Sequence, residues 1–150
     1  MAVCDNQYWM KFALQEAEKA LKEDEIPVGA ALIKDGKLIL SNHNRTRQNN
    51  DPTAHAEKLI IQEIIKKREK VLYEYTLYVT LEPCTMCAGM LVLAKLGKLV
   101  YGTKDPKTGA VGSLYNIPED KQLNHNIEVI SGILSEECGN LLRKFFQSKR

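Results

Sequence analysis

Two short segments limit what this chain can fold into more than any other part of it: Pro83-Cys84-Thr85-Met86-Cys87 and, upstream, Asp51-Pro52-Thr53-Ala54-His55-Ala56-Glu57. Residues three apart share a helix face, so the two sulfurs of a helix opened by Pro83 converge on one point. Their place in the first turn matters equally. Unpaired backbone N–H groups and the positive end of the helix dipole favour thiolate over thiol, the form a metal needs. Pro83 suits that turn because its missing N–H would have had no intrahelical partner. Taken alone, the pair serves zinc ligation and thioredoxin-like redox exchange alike.

The upstream segment shifts that balance. Two thiolates and the neutral imidazole of His55 give Zn²⁺ three protein ligands and no net charge, with the fourth tetrahedral position left to water. Water held there becomes acidic near a pKa of about 7. Glu57 then stands near the metal without ligating it, placed to take the water's proton and return it to a substrate. In a regular helix residues two apart point about 200° away from each other, so this arrangement needs His55 at an irregular helix start or a long reach by Glu57. The plainer reading makes His55 a hydrogen-bonded structural residue and Glu57 a complement to the helix dipole. A closed structural site with Cys138 as fourth ligand is the other alternative. Cys138 falls in phase with Leu134, Leu141, Leu142 and Phe145, however, and is expected to be a buried small hydrophobe. Cys4 lies near a loose terminus, and His43 and His125, in a polar loop and near a turn, read as solvated or locally bonded.

The rest of the chain supplies a scaffold for one such site. With 150 residues, 44% hydrophobic and 27% charged, it reads as a single domain, 1–150. A formal charge of +2 does not mark a strongly basic nucleic-acid binder, although Arg143 to Arg150 carries four cations. Four cysteines without a secretion signal argue against a disulfide framework, and no apolar run reaches the roughly 18 residues of a membrane span, so the expected location is cytoplasmic.

Apolar spacing predicts a first helix capped by Asp5 or Asn6, with Trp9, Phe12, Ala13, Ala17, Ala20 and Leu21 on its buried stripe. It is followed by a hairpin over Val28 to Leu40 turning at Asp35-Gly36. Ser41 to Asp51 reads as a loop. A helix capped by Thr53 runs to about Lys70, burying Leu59, Ile60 and Ile64, with Ile61 at the edge of that stripe. Thr76 to Leu81 is a central strand, and Pro83 opens a helix through Lys95 that is apolar almost all round. Strands at Leu99 to Gly102 and Ile127 to Ile130 flank a long connection, and Ser135 caps a last helix ending near Phe146. Helices alternating with strands after an opening hairpin give an α/β class, a mixed sheet between helical layers.

The pairing of His55-Ala56-Glu57 with Pro83-Cys84-Thr85-Met86-Cys87 is similar to the signature of the zinc nucleobase deaminases. Glu25 to Ala30, Asp51 to Glu57, Leu77 to Gly89, Asp105 to Ser113, Leu123 to His125 and Leu141 to Phe146 extend the likeness over nearly the whole chain. There the chain resembles the bacterial tRNA adenosine deaminases of the cytidine deaminase superfamily. The stretch Arg45 to Asn50 departs from the family pattern, and the chain stops soon after Phe146. The resemblance implies a three-layer α/β/α fold with a central mixed five-stranded sheet, one Zn²⁺ per subunit and a homodimer. It also implies hydrolytic conversion of adenosine to inosine at the wobble position of a tRNA anticodon, chiefly that of the arginine acceptor, with no membrane involved. His55, Cys84 and Cys87 would be the metal ligands and Glu57 the proton carrier. Pro27 and Val28 would lie against the flipped nucleotide, Asn44 and the Ala54 main chain would bond the base, and Asp105 would lie near the flanking backbone. Lys104, Lys107, Arg143, Lys144, Lys149 and Arg150 would meet phosphates. A deaminase of free guanine, cytosine or nucleosides shares the same metal signature, and a zinc-stabilised binding module without turnover belongs to a different class.

Overall fold

Residues that recur at three- and four-residue steps give the first helix one apolar stripe, and the computed structural model, which describes residues 2–67 and 69–149, lays that stripe on a sheet. Helix α1 (Ala2–Lys22) buries Met10, Ala13, Leu14, Ala17 and Ala20, while Trp9, Phe12 and Leu21 are half-buried. Neither Asp5 nor Asn6 caps it, because the helix runs through both. The buried Asn6 side chain instead accepts a hydrogen bond from the Tyr78 hydroxyl at 2.7 Å. Cys4 lies in the same helix, its side chain outside the described residues.

Strands β1 (Gly29–Lys34) and β2 (Lys37–His43) form the expected hairpin, with Asp35 and Gly36 at φ 52° and 68°. Such a turn requires left-handed backbone at both central residues, which Gly36 adopts without strain. β2 is longer than its apolar run suggests. Ser41 to His43 pair with Ala31 to Gly29 instead of joining the loop, because backbone pairing and burial outweigh their polarity. His43 is accordingly buried, each ring nitrogen 2.9 Å from a carboxylate oxygen, of Glu16 on one side and Glu23 on the other.

The remaining elements are α2 (Ala56–Lys66), β3 (Tyr75–Leu81), α3 (Thr85–Leu93), β4 (Lys98–Thr103), β5 (Glu128–Ile130) and α4 (Ser135–Ser148). The sheet order is β2-β1-β3-β4-β5, with β1 antiparallel to both neighbours and β3, β4 and β5 parallel. Side chains alternate across β1. Ala30 and Leu32 pack with Ile60, Ile61 and Ile64 of α2 and Leu91 of α3, while Ala31 and Ile33 pack with Met10 and Leu14 of α1 and Cys138 of α4. The result is the three-layer α/β/α fold with a mixed five-stranded sheet. Each fully buried leucine, such as Leu32, Leu77 or Leu99, contributes about 1.5–3 kcal/mol to that core.

Helices α2 and α3 are shorter than expected, whereas α1 starts earlier and α4 runs past Phe146 to Ser148. Thr53 does not cap α2, because its N–H and hydroxyl both bond Asp51 Oδ1, at 2.8 and 2.7 Å, in a turn that delays the helix to Ala56. That helix stops at Lys66, short of Lys70, and leaves Leu59 half-buried. Pro83 precedes α3 instead of opening it, and Lys95, at φ 57°, lies beyond its end. Leu134, at φ 52°, occupies the cap position of α4, so Ser135 is its first helical residue. Among the described residues no helix is long and apolar enough to cross a membrane.

Candidate metal centre and substrate cavity

Strand direction gathers the functional segments at one end of the sheet. β3 and β4 are parallel, so Glu82 and Lys104-Asp105 leave at the same end. β1 runs the other way and begins there, just after Val28, and β2, antiparallel to β1, delivers Asn44 beside it. Parallel strands place ligands outside their carboxyl ends for this reason.

Two helices start at that end, and each begins on a residue that gives up the usual capping role. His55 and Cys84 stand at the N-cap positions of α2 and α3 with extended backbones (φ −77°, ψ 152°; φ −78°, ψ 178°), and neither side chain caps its helix. The Ala56 N–H is capped from elsewhere, by Asn44 Oδ1 at 2.8 Å. His55 Nδ1 therefore faces the cysteines, 3.5 Å from Cys84 Sγ and 3.6 Å from Cys87 Sγ. Zinc bonds of about 2.3 Å to sulfur and 2.0 Å to nitrogen, at a tetrahedral angle, hold N and S about 3.5 Å apart. The donor set and both distances fit zinc. Because His55 precedes the first helical residue, the angular conflict with Glu57 does not arise.

Cys138 belongs to the cluster on the opposite face of the sheet, which excludes it as a fourth ligand. Burial pushes its thiol up to about 12, the behaviour of an inert core residue. The Cys84 thiol is drawn down to about 4, first by the Cys87 thiol and then by the His55 imidazole, against the effect of burial. Its hydrogen bond to Cys84 in turn raises His55, while Cys87 is pushed upward by Cys84 and by burial. Protons are thus shared within the cluster, so a cation that takes their place releases them. Glu57 is 3% exposed, and burial raises its carboxyl to about 7.

A cavity of about 520 Å³ opens over this centre. Of the residues singled out in the sequence, Val28, Asn44, His55, Glu57, Cys84, Lys104, Asp105 and Lys107 line it. Pro27 and Ala54 are buried behind that lining. The Ala54 N–H already bonds Asp51 O at 3.1 Å, and its carbonyl accepts from Arg45 N at 2.9 Å. The Asp105 carboxylate accepts from the Lys107 and Thr108 N–H groups at 3.0 and 3.2 Å and from the Thr108 hydroxyl at 2.6 Å. Arg143 lines an adjoining hollow with Lys107, Leu142 and Phe146. Lys144 is exposed and lines neither space, Lys149 pairs with Asp24, and Arg150 lies outside the described residues.

Sequence reasoning missed two buried carboxylates that hold the cavity's loops. Glu25 accepts the Thr46 hydroxyl and the Arg47 and Gln48 N–H groups, and Glu82 does the same for the loop after β4. Their signal was a glutamate beside an apolar residue and one or two positions before a proline, in Glu25-Ile26-Pro27 and Leu81-Glu82-Pro83. His125, read as locally bonded, lies 2.7 Å from the Leu96 carbonyl through Nε2.

A family model described as MafB19-like deaminase matches residues 4–150. The tRNA-specific adenosine deaminase of Bacillus subtilis (strain 168) is 44% identical over 97% of this chain and 91% of its own length. That of Haemophilus influenzae is 46% identical over 94% of this chain and 83% of its own. A structure from biochemical and structural studies of A-to-I editing by tRNA:A34 deaminases at the wobble position of transfer RNA superposes with a TM-score of 0.85. It shows 42% identity and covers 90% of this chain and 99% of that one.

Proposed function

Because this chain belongs to the MafB19-like deaminase family and stands among its tRNA-specific adenosine deaminases, we propose that the cavity takes the wobble adenosine of a tRNA anticodon stem-loop, chiefly from the arginine acceptor. The reaction is hydrolytic: adenosine and water give inosine and ammonia. The observation that carries the chemistry is the His55, Cys84 and Cys87 donor set, whose ligand atoms lie within 4.8 Å of one another, under a cavity that also holds Glu57.

His55, Cys84 and Cys87 would hold one Zn²⁺ per subunit. When bound, zinc acidifies and orients a water molecule beside the substrate. Glu57 would take a proton from the attacking water and deliver it to N1 of the adenine as C6 is attacked, then take the proton of the new C6 hydroxyl and pass it to the departing amine, which leaves as ammonia. A base must leave its stack to reach a buried centre, and anticodon loops present unstacked bases. Ile26, Val28 and Leu81 give the base apolar walls, and Pro27 backs them. Asn44 offers the base its amide nitrogen, since Oδ1 is engaged by α2, and the Ala54 main chain completes that side. Asp105 shapes the turn beside the flanking RNA backbone. Lys104, Lys107 and Arg143 approach phosphates at the mouth, with Lys144 and Lys149 further out.

Residues 1–150 act as one deaminase domain in the cytoplasm. Homodimerisation is supported by α3, where Leu93 is 84% exposed beside half-buried Met86, Met90 and Val92. The test is to supply a stem-loop carrying a wobble adenosine and, separately, free guanine, cytosine and nucleosides. Inosine forming in the RNA is expected. Ammonia released from the free compounds, with the RNA unchanged, would replace this reading by a free-base deaminase.

A further inference from the structure

Glu82 sits between the last residue of β3 and Pro83, two positions before the first cysteine, and lines the cavity while its carboxylate is taken up by hydrogen bonds from the protein. It is 2% exposed and is gripped by one loop. Oε1 accepts the Asp105 N–H at 3.0 Å and the Ser113 hydroxyl at 2.5 Å, and Oε2 accepts the Val111 and Ser113 N–H groups at 2.9 and 3.0 Å. Both ends of the 105–113 segment are therefore tied to one side chain. Gly109 passes so close that a Cβ there would come 2.4–2.5 Å from the Glu82 carboxyl group, so any side chain at 109 would have to push that carboxyl out of its place. Backbone contacts complete the seam: Cys84 bridges Gly109, and the Ala110 N–H bonds Pro83 O at 2.9 Å. The segment so held contributes Asp105, Pro106, Lys107 and Thr108 to the cavity mouth.

We propose that Glu82 is a positioning residue for RNA recognition: by fastening the 105–113 loop to the corner that carries the cysteines, it fixes the cationic rim of the cavity relative to the reaction centre. The proposal rests on the tRNA reading above. A buried carboxylate is suited to this work because several converging N–H donors satisfy it fully, and those bonds are stronger than bonds between neutral groups. The loop contains no helix or strand of its own, so without that acceptor it is left with the backbone contacts at Gly109 and Ala110.

Glu82→Gln keeps the shape and replaces one acceptor oxygen by a donor facing N–H groups. The KM for the stem-loop should rise about tenfold, as expected when a charge-assisted hydrogen bond is lost. kcat should stay within about twofold and zinc should remain stoichiometric. Hydrogen exchange at the Asp105, Val111 and Ser113 amides should accelerate while that of β3 does not. Ser113→Ala, which removes only the hydroxyl bond, should raise KM about threefold and guards against a glutamine variant that fails to fold. An unchanged KM with faster loop exchange would overturn the proposal, as would a fall in kcat accompanied by loss of zinc. If the parent protein converts no RNA, the tRNA reading is what fails, and unaltered exchange at the loop amides in Ser113→Ala would then refute the anchoring role by itself.

Discussion

The two walls of the cavity are built by opposite means. One is made of regular structure: the starts of α2 and α3 bring His55, Glu57, Cys84 and Cys87 together on backbones fixed by helix and sheet. The other includes the irregular stretch 105–108, part of a loop, 105–113, that Glu82 holds by hydrogen bonds alongside backbone contacts to Pro83 and Cys84, and the loop 45–51, just outside the lining, is held by Glu25 in the same way. The difference teaches where each demand is met. Chemistry that needs atoms placed to a few tenths of an ångström is put on helices. Recognition of a larger partner is put on segments that one hydrogen-bonded carboxylate can hold.

The largest effects belong to the regular wall. Cys84→Ser or Cys87→Ser should bring zinc well below one per chain, measured by elemental analysis, and abolish detectable deamination. Tight stoichiometric zinc in either variant would remove that sulfur from the ligand set. Glu57→Gln should keep its zinc and lose about three orders of magnitude in kcat. It should also be more stable than the parent in chelator at pH 8. Burial raises the Glu57 carboxyl from 4.5 to about 7, so its favourable contribution is complete below 4.5 and lost as pH rises through 7. That shift corresponds to an upper limit of about 3 kcal/mol, readable by denaturant titration. An equal midpoint would show that Glu57 is not penalised by burial.

Smaller effects should mark the loops. Glu25→Gln, by leaving a fully buried side chain poorly matched to the N–H groups of Arg47 and Gln48, should cost about 1–3 kcal/mol of stability while zinc content stays whole. Loss of zinc would erase the division between the walls. Smallest is an acid effect remote from the cavity. Burial would raise Glu16, but hydrogen bonds from Lys19 and His43 outweigh it and hold the carboxyl below its ordinary 4.5. Its contribution is present above 4.5 and fades as pH falls through the lowered value, so unfolding midpoints of parent and Glu16→Gln should converge with acidification. Parallel curves would exclude Glu16 as a source of acid sensitivity.

Legibility followed the same division. The metal set was readable because CxxC and His-x-Glu are short-range patterns with a stated geometry, and the hairpin because Asp35-Gly36 announces its turn. The delay of α2 to Ala56 was hidden, since the bonds from Thr53 to Asp51 compete with capping through a local turn that composition does not rank. Asn44, expected only to touch a base, also caps α2. Glu25 and Glu82 escaped notice because a glutamate in sequence looks solvated until the loop that surrounds it is seen. Pro27 and Ala54 stand behind the lining, to which their neighbours Ile26, Val28 and His55 belong.

The clasp on His43 carries a consequence for engineering. The residue directly precedes Asn44, and its ring is held on one side by Glu16 and on the other by Glu23, near and beyond the end of α1. The outer helix and the Asn44 amide in the cavity lining are thus joined through one buried ring. Libraries confined to the cavity lining would leave out a lever that reaches it from the far layer of the protein.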